Sequence, residues 1–193
     1  EDVAFEIVNL DLIAIQGPKS ILVLEKIFSS LPEKPNDIKR NDFEGVPLTV
    51  IKKSFTGEEG FIICLPSELN ENFIQKLVKA EIQSIKIGEQ AREILRIEAG
   101  IPVFGKDMDG KNILPETGLE HSAVSYNKGC YIGQEVIARI KTYGAPNFAL
   151  MGLTIEGPIS PPMNGLIFLG AKKIGVIKSS VRSASLDKLI ALA

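Results

Sequence analysis

The chain has 193 residues, of which 45% are hydrophobic and 24% are charged, and its net charge is −2 at neutral pH. This composition is typical of a globular protein and excludes an intrinsically disordered chain. The sequence contains no apolar run of about eighteen residues, so we expect no membrane-spanning helix.

The first 65 residues predict a strand, a helix and a hairpin. Gly17-Pro18 predicts a turn between the strand and the helix, because proline suits the first turn of a helix. Thr56-Gly57-Glu58-Glu59 predicts the hairpin turn, because glycine accepts the backbone conformations that tight turns need. The predicted elements are a strand over 11–16, a helix over 19–29, a polar connection over 32–41, and strands over 46–55 and 60–65.

The next stretch predicts helices followed by a long loop. Ser67 is a candidate N-cap for the first helix, and Cys64 lies in an apolar strand where we expect it to be a core residue. The order of elements predicts an α+β domain with a mostly antiparallel sheet. The predicted elements are a helix from Ser67 through Val78, a strand over 82–87, a helix from Gly88 through Ile97, a loop over 100–117 and a helix from Gln134.

The pattern changes after Gly144-Ala145-Pro146, where short strands separated by Gly, Pro and Ser replace helices. This texture predicts the start of a small C-terminal β-barrel. We therefore expect a domain over 1–144 and a barrel domain over 145–193. The predicted strands of the second domain cover 148–156, 165–169, 173–180 and 188–193.

Charge and cysteine content restrict the functional classes. Residues 1–120 carry a net charge of −7 and residues 121–193 one of +5. The positive charge of residues 121–193 is suited to binding an anion, such as a polyglutamate tail, or belongs to an ordinary solvated surface. This charge is too small to predict nucleic-acid binding. Two cysteines 66 positions apart predict neither a disulfide framework nor a zinc site. With no signal-peptide pattern visible, we expect a reducing compartment.

The segment 128–135, Lys-Gly-Cys-Tyr-Ile-Gly-Gln-Glu, is the most distinctive part of the sequence. It places Cys130 ahead of a predicted helix and two residues from Lys128. A helix N-terminus and a nearby cation both favour the thiolate, the form that reacts or binds metal. The alternative is that Cys130 is a small apolar packing residue, as free cysteines often are.

This segment resembles the signature of the YgfZ-type folate-binding proteins, relatives of the glycine-cleavage T-protein (aminomethyltransferase). Other stretches are similar to the same superfamily, and the similarity extends over nearly the whole chain. The matching pattern starts in its middle, so the segment that carries the T-protein's catalytic aspartate is absent from the match. The further matching stretches are 12–24, 54–61 with Thr-Gly-Glu-x-Gly-aromatic, 91–102, 105–118 and 175–180.

The resemblance implies that the chain binds tetrahydrofolate and assigns roles to five residues. Glu58 binds the N–H groups at the edge of the pterin, and Arg96 contacts the folate or braces Glu58. Lys128 and Tyr131 are the other two folate-binding residues. Cys130 is the reactive thiol beside the folate. From the residues alone, Glu58 is equally an exposed turn residue, Arg96 an ordinary partner of a nearby glutamate, and Tyr131 a core residue.

The resemblance also implies a supporting role in iron–sulfur cluster assembly or repair and, through iron–sulfur enzymes, in tRNA modification. The implied partners are folate and iron–sulfur assembly proteins, in the cytoplasm or, in a eukaryote, the mitochondrial matrix. Two alternatives stay open. One is a tetrahydrofolate-dependent aminomethyltransferase, which an aspartate such as Asp107 or Asp109 near the folate would favour. The other is a scaffold that no longer binds folate.

Overall fold

The computed structural model describes residues 4, 7–80, 82 and 84–193, which form two compact units. The first unit covers residues 1–92 and the second covers residues 93–193. The domains predicted from sequence, 1–144 and 145–193, follow a change in composition rather than a division of contacts, and they stay a prediction.

A four-stranded antiparallel sheet forms the centre of the first unit, in the order β1-β4-β3-β2. The predicted first strand is confirmed to the residue, and β1 pairs with β4 from Asp11 opposite Leu65 to Gln16 opposite Gly60. The third strand ends at Lys52, before the predicted end, so that residues 53–59 form a longer loop. The strands are β1 (Asp11–Gln16), β2 (Ile38–Phe43), β3 (Val46–Lys52) and β4 (Gly60–Leu65).

The core of the first unit lies between this sheet and two helices, α1 (Ser20–Leu24) and α2 (Asn70–Lys79). Phe73 of α2 is fully buried, and its ring centroid lies 5.9 Å from that of Phe28 and 5.1 Å from that of Phe43. Burying each such side chain contributes about 1.5–3 kcal/mol. The buried members are Val23, Leu24, Phe28, Phe43, Leu48, Val50, Phe61, Ile63, Leu65, Phe73 and Leu77.

Two predictions for the first unit are wrong: one takes an edge strand for a loop, and the other places a strand residue on the buried face of the sheet. Residues 38–43 form β2 rather than a loop; the strand is polar because it lies at the sheet edge, where Phe43 is its only buried residue. Cys64 lies in β4 as expected, but it is half-buried rather than in the core. Side chains alternate along a strand, and Ile63 and Leu65 take the buried face.

Three helix and strand boundaries also differ. The first helix ends at Leu24 and continues as turns through Ile27. Ser67 does not cap α2; it opens a short 3₁₀ turn, and its hydroxyl donates to Asp11. The strand predicted over 82–87 is not formed by the residues described there, and residue 83 lies outside them.

The second unit contains most of the helix α3, which begins within the first unit, two further helices, and two small antiparallel sheets in the orders β5-β9-β8 and β6-β7. Ile97 of α3 packs with Ile190 and Leu192 of β9 in its buried cluster. The strand predicted over 173–180 is divided into two, β7 and β8. The elements are α3 (Glu89–Glu98), α4 (Glu120–Ala123), α5 (Gln134–Tyr143), β5 (Gly152–Ile155), β6 (Leu166–Leu169), β7 (Lys172–Val176), β8 (Ser179–Ser183) and β9 (Lys188–Leu192).

Every strand pair within the described residues is antiparallel, which confirms the predicted α+β class. Small sheets follow the helices at the C-terminal end, as the change of texture after residue 144 predicts. No helix in the described part of the chain is both long and apolar enough to span a bilayer.

Candidate functional site

The loop over 53–59, between β3 and β4, carries the predicted pterin ligand Glu58. The side chain of Glu58 is exposed, and the preceding Gly57 has a φ of +82°, which glycine adopts without strain. The hydroxyl oxygen of Thr56 in the same loop is buried and has no hydrogen-bond partner among the described residues. A buried hydroxyl without a partner costs about 1–3 kcal/mol, so this atom can gain from a ligand group.

Contacts with the end of β1 hold this loop. The carbonyl oxygen of Glu59 accepts the backbone N–H of Gly17 at 2.8 Å and the hydroxyl of Ser20 at 3.3 Å. The carboxylate of Glu59 lies 2.6 Å from Lys52 Nζ. Glu59 is therefore a structural carboxylate, and the adjacent Glu58 is the one that faces solvent.

Arg96 lies at the centre of a buried polar network in the second unit. Its side chain is only 1% exposed, and its guanidinium forms ion pairs with Glu93 at 2.7 Å and Asp107 at 2.8 Å. It also donates to the carbonyl oxygen of Ile101 at 3.1 Å and to the hydroxyl of Ser179 at 2.9 Å. These contacts and a second bond to Glu93 engage all five N–H donors. A direct contact between Arg96 and folate stays a prediction.

The carboxylates in this network are held by several donors. Asp107 accepts hydrogen bonds from Arg96, from the backbone N–H of Val103 at 2.8 Å and from Ser179 at 2.5 Å. A hydrogen bond from Arg96, reinforced by Lys106, lowers the pKa of Glu93 to about 2. Asp107 is thus a buried anchor between α3 and β8, whereas an acid–base group needs an accessible carboxylate.

Cys130 is exposed, but it does not lie at the start of α5. Gly133 is the N-cap residue, with a φ of +89°, so three residues separate the thiol from the first helical residue. Lys128 and Tyr131, the predicted site residues nearest to Cys130 in sequence, contact each other. Lys128 Nζ lies 4.8 Å from the centroid of the Tyr131 ring, a cation–π distance. Lys128 and Tyr131 are thereby brought together, α5 begins at Gln134 as predicted, and the reactive role of Cys130 stays a prediction.

A second lysine–tyrosine pair, which the sequence did not suggest, occurs in the same region. Lys141 Nζ lies 3.4 Å from the centroid of the Tyr126 ring, and the Tyr126 hydroxyl donates to Glu120 at 2.5 Å. That hydrogen bond raises the pKa of Tyr126 to about 12. The spacing of 15 residues between tyrosine and lysine gives no periodic signal, which explains why the pair was missed.

A cavity of about 760 Å³ opens in the second unit, beside the strands β5, β6 and β7. Its volume falls in the range of small-molecule sites. Its lining is mainly apolar, and none of the five predicted site residues, all of which are described, belongs to it. Representative lining residues are Asn112, Glu116, Phe148, Leu153, Ile174 and Lys178.

The predicted site residues divide between the two units. Glu58 belongs to the first, and Arg96, Lys128, Cys130 and Tyr131 belong to the second. Within the described residues, no group of three His, Cys, Asp or Glu side chains has an arrangement suited to a metal ion.

Comparison with known proteins places the chain in a family. The GCVT N-terminal domain family matches residues 2–128, about two thirds of the sequence. The chain therefore belongs to this family, and its resemblance to the T-protein superfamily is confirmed. Its assignment to the YgfZ-type branch is not tested by this match and stays a prediction.

Curated relatives carry the name aminomethyltransferase. The chain is 34% identical over 190 residues to the protein of Bacillus cytotoxicus and 33% identical to that of Bacillus cereus strain AH820. In both cases the alignment covers 94% of this chain and 50% of the relative. The chain thus spans about half the length of these relatives.

A solved structure shows the same fold. The glycine cleavage system aminomethyltransferase T of Bartonella henselae superposes with a TM-score of 0.72 at 24% sequence identity. The superposition covers 94% of this chain and 50% of that structure. The architecture is therefore of the T-protein type.

Proposed function

We propose that this chain binds tetrahydrofolate as part of a T-protein-type protein. The family match over residues 2–128 carries the proposal. The loop over 53–59 supports it, because it combines an exposed carboxylate at Glu58 with the buried hydroxyl of Thr56, which has no partner in the part of the chain that the structure describes. A carboxylate suits the N–H groups of a pterin edge, and a hydroxyl suits its remaining polar atoms. When bound, the folate would supply the one-carbon chemistry; the loop would bind and orient the ring.

The comparisons favour aminomethyl transfer as the use of the bound folate, since the relatives that match over 94% of this chain are named aminomethyltransferase. An accessible acid or base is still needed beside the one-carbon position. Asp107 is buried in the Arg96 network, whereas Asp109 is exposed and its carboxylate accepts a local hydrogen bond from the backbone N–H of Lys111. Asp109 is therefore the better candidate of the two aspartates.

A second candidate is a YgfZ-type role in iron–sulfur cluster assembly or repair, with iron–sulfur assembly proteins as partners and tRNA modification as the downstream process. The specific observation in its favour is Cys130, an exposed thiol in a segment that matches the signature of that branch. Exposure makes a thiol available to a metal, an adduct or a partner thiol.

The first test is calorimetric titration of the full chain with tetrahydrofolate. Loss of charge-assisted hydrogen bonds in Glu58→Gln should weaken binding about 10- to 100-fold. Glu71→Gln, which removes an exposed carboxylate from α2, is the matched control and should bind like the wild type. If the wild type binds folate and Glu58→Gln binds equally well, the loop is not the folate site. If neither binds, this chain alone does not form the folate site: either the part of the T-protein pattern outside the match is essential, or the chain is a scaffold.

The two uses of folate differ in their need for the thiol. Aminomethyl transfer should persist in Cys130→Ser, whereas a YgfZ-type role should be lost. The readout is the activity of an iron–sulfur dehydratase in cells that carry Cys130→Ser in place of the wild-type chain. Cys64→Ser, at the half-buried cysteine of β4, is the control. Equal dehydratase activity in both variants would contradict the thiol-dependent role.

A further inference from the structure

Gln16, the last residue of β1, makes an unusual pair of contacts with the loop that carries Glu58. Its side-chain Oε1 accepts the backbone N–H of Phe55 at 2.8 Å, and its Nε2 donates to the backbone carbonyl of Lys53 at 3.0 Å. Because β3 ends at Lys52, these backbone groups have left the sheet. The amide of Gln16 thus takes the place of a peptide group and extends the strand pairing into the loop.

Gly60 provides the space that this amide occupies. The two residues face each other across β1 and β4, and a Cβ atom at position 60 would lie 2.4–2.6 Å from the end of the Gln16 side chain. Such distances are well inside van der Waals contact, so any larger residue must displace the amide from the position in which it makes both hydrogen bonds. The contacts of Gln16 with the loop therefore also depend on the absence of a side chain at Gly60.

The loop is held on both sides of Glu58. Gln16 fixes the backbone at Lys53 and Phe55, and Gly17 fixes it at Glu59 through a 2.8 Å hydrogen bond to the carbonyl oxygen. The Glu58 side chain is exposed, so its position depends on that of its backbone. Binding to a loop that is already ordered is tighter, because no binding free energy is spent on ordering the loop.

We infer that Gln16 is a positioning residue of the folate site, which presents Glu58 to the pterin by clamping the loop. This inference rests on the proposed function, because it takes Glu58 as the pterin ligand. Gln16 itself need not touch the ligand. The effect of replacing Gln16 on tetrahydrofolate affinity should therefore depend on whether Glu58 is present. A purely structural role of Gln16 would show no such dependence.

The experiment is a double-mutant cycle in the full chain, with tetrahydrofolate affinity measured by calorimetry. Gln16→Met keeps the length of the side chain but removes both hydrogen bonds, and it should weaken binding about five- to tenfold. In a Glu58→Gln background the same change should have little further effect. Gln75→Met, at an exposed glutamine of α2, is the matched control and should leave affinity unchanged.

Gly60→Ala is the second variant, because it displaces the amide of Gln16 without removing it and keeps the inference testable if Gln16→Met does not fold. It should weaken binding to a similar extent. Wild-type affinity in a folded Gln16→Met or Gly60→Ala chain, with weakened binding in Glu58→Gln, would overturn the positioning role alone. Losses that add fully in the double variant would also overturn it. No binding by the wild type would overturn both this inference and the proposed function.

Discussion

Replacing Asp107 by asparagine should destabilise the second unit strongly. Asp107 is 2% exposed and accepts hydrogen bonds from Arg96, Val103 and Ser179. Asparagine keeps the shape but removes the charge opposite a guanidinium that is itself 1% exposed. Removing one partner of a buried ion pair costs about 3–5 kcal/mol. Because Arg96 keeps its bonds to Glu93, we expect the lower end, about 3 kcal/mol.

Tyrosine fluorescence measures this loss selectively. The chain has no tryptophan, and its three tyrosines, at 126, 131 and 143, all lie in the second unit. Urea unfolding followed by tyrosine emission therefore reports on that unit. A loss of about 3 kcal/mol corresponds to a fall in melting temperature of more than about 10 °C for a unit of this size.

Asp109→Asn is the matched control. Asp109 is exposed and its carboxylate accepts a local hydrogen bond from the backbone N–H of Lys111, so its replacement should change the free energy of unfolding by less than about 0.5 kcal/mol. Asp107→Asn and Asp109→Asn unfolding at the same urea concentration would refute the argument that the buried network holds the second unit together.

Three further predictions concern titration and reactivity. The hydrogen bond from Arg96 lowers the pKa of Glu93 from 4.5 to about 2. The stabilisation of the folded chain by ionised Glu93 is therefore fully present above about pH 4.5 and is lost as the pH falls towards 2. Acid unfolding of Glu93→Gln should lack this part of the pH dependence, and an acid-unfolding profile identical to that of the wild type would contradict this prediction. Iodoacetamide should modify the exposed Cys130 well before Cys64, because burial raises the pKa of the Cys64 thiol, and equal rates by peptide mass spectrometry would argue against this difference. The phenol of Tyr126 should ionise near pH 12 in an ultraviolet titration, and Glu120→Gln should bring it back towards 10, since the hydrogen bond to Glu120 is the main cause; a titration that is unaffected by the substitution would rule out that cause.

The fold could be predicted where apolar residues dominate and not where a strand is polar. The strands β1 and β4 are apolar runs between turn residues, and their bounds agree with the sequence to the residue. The edge strand β2, Ile-Lys-Arg-Asn-Asp-Phe, buries only its last residue and is held by backbone pairing to β3. Backbone pairing depends on the neighbouring strand, which the local sequence does not reveal.

The site was harder to predict, because its decisive contacts join residues from separate elements. The sequence pointed to Glu58, which is indeed exposed in a loop, but gave no hint that Gln16 clamps that loop from 39 positions away. The resemblance gives Arg96 a role at the folate, and pairing with a nearby glutamate is the alternative; Arg96 does pair with Glu93, yet its second partner, Asp107, lies across a loop of irregular structure. The start of α5 at Gln134 agrees with the sequence, whereas the contact between Lys128 and the Tyr131 ring depends on the conformation of the irregular segment that contains both residues.

The contact between Gln16 and Gly60 also restricts how this sequence can change in evolution. Alanine at position 60 and the amide of Gln16 would occupy the same volume, so either substitution made first leaves the loop without its clamp. The two positions should therefore change together, and homologues that keep a long amide at 16 should keep glycine at 60.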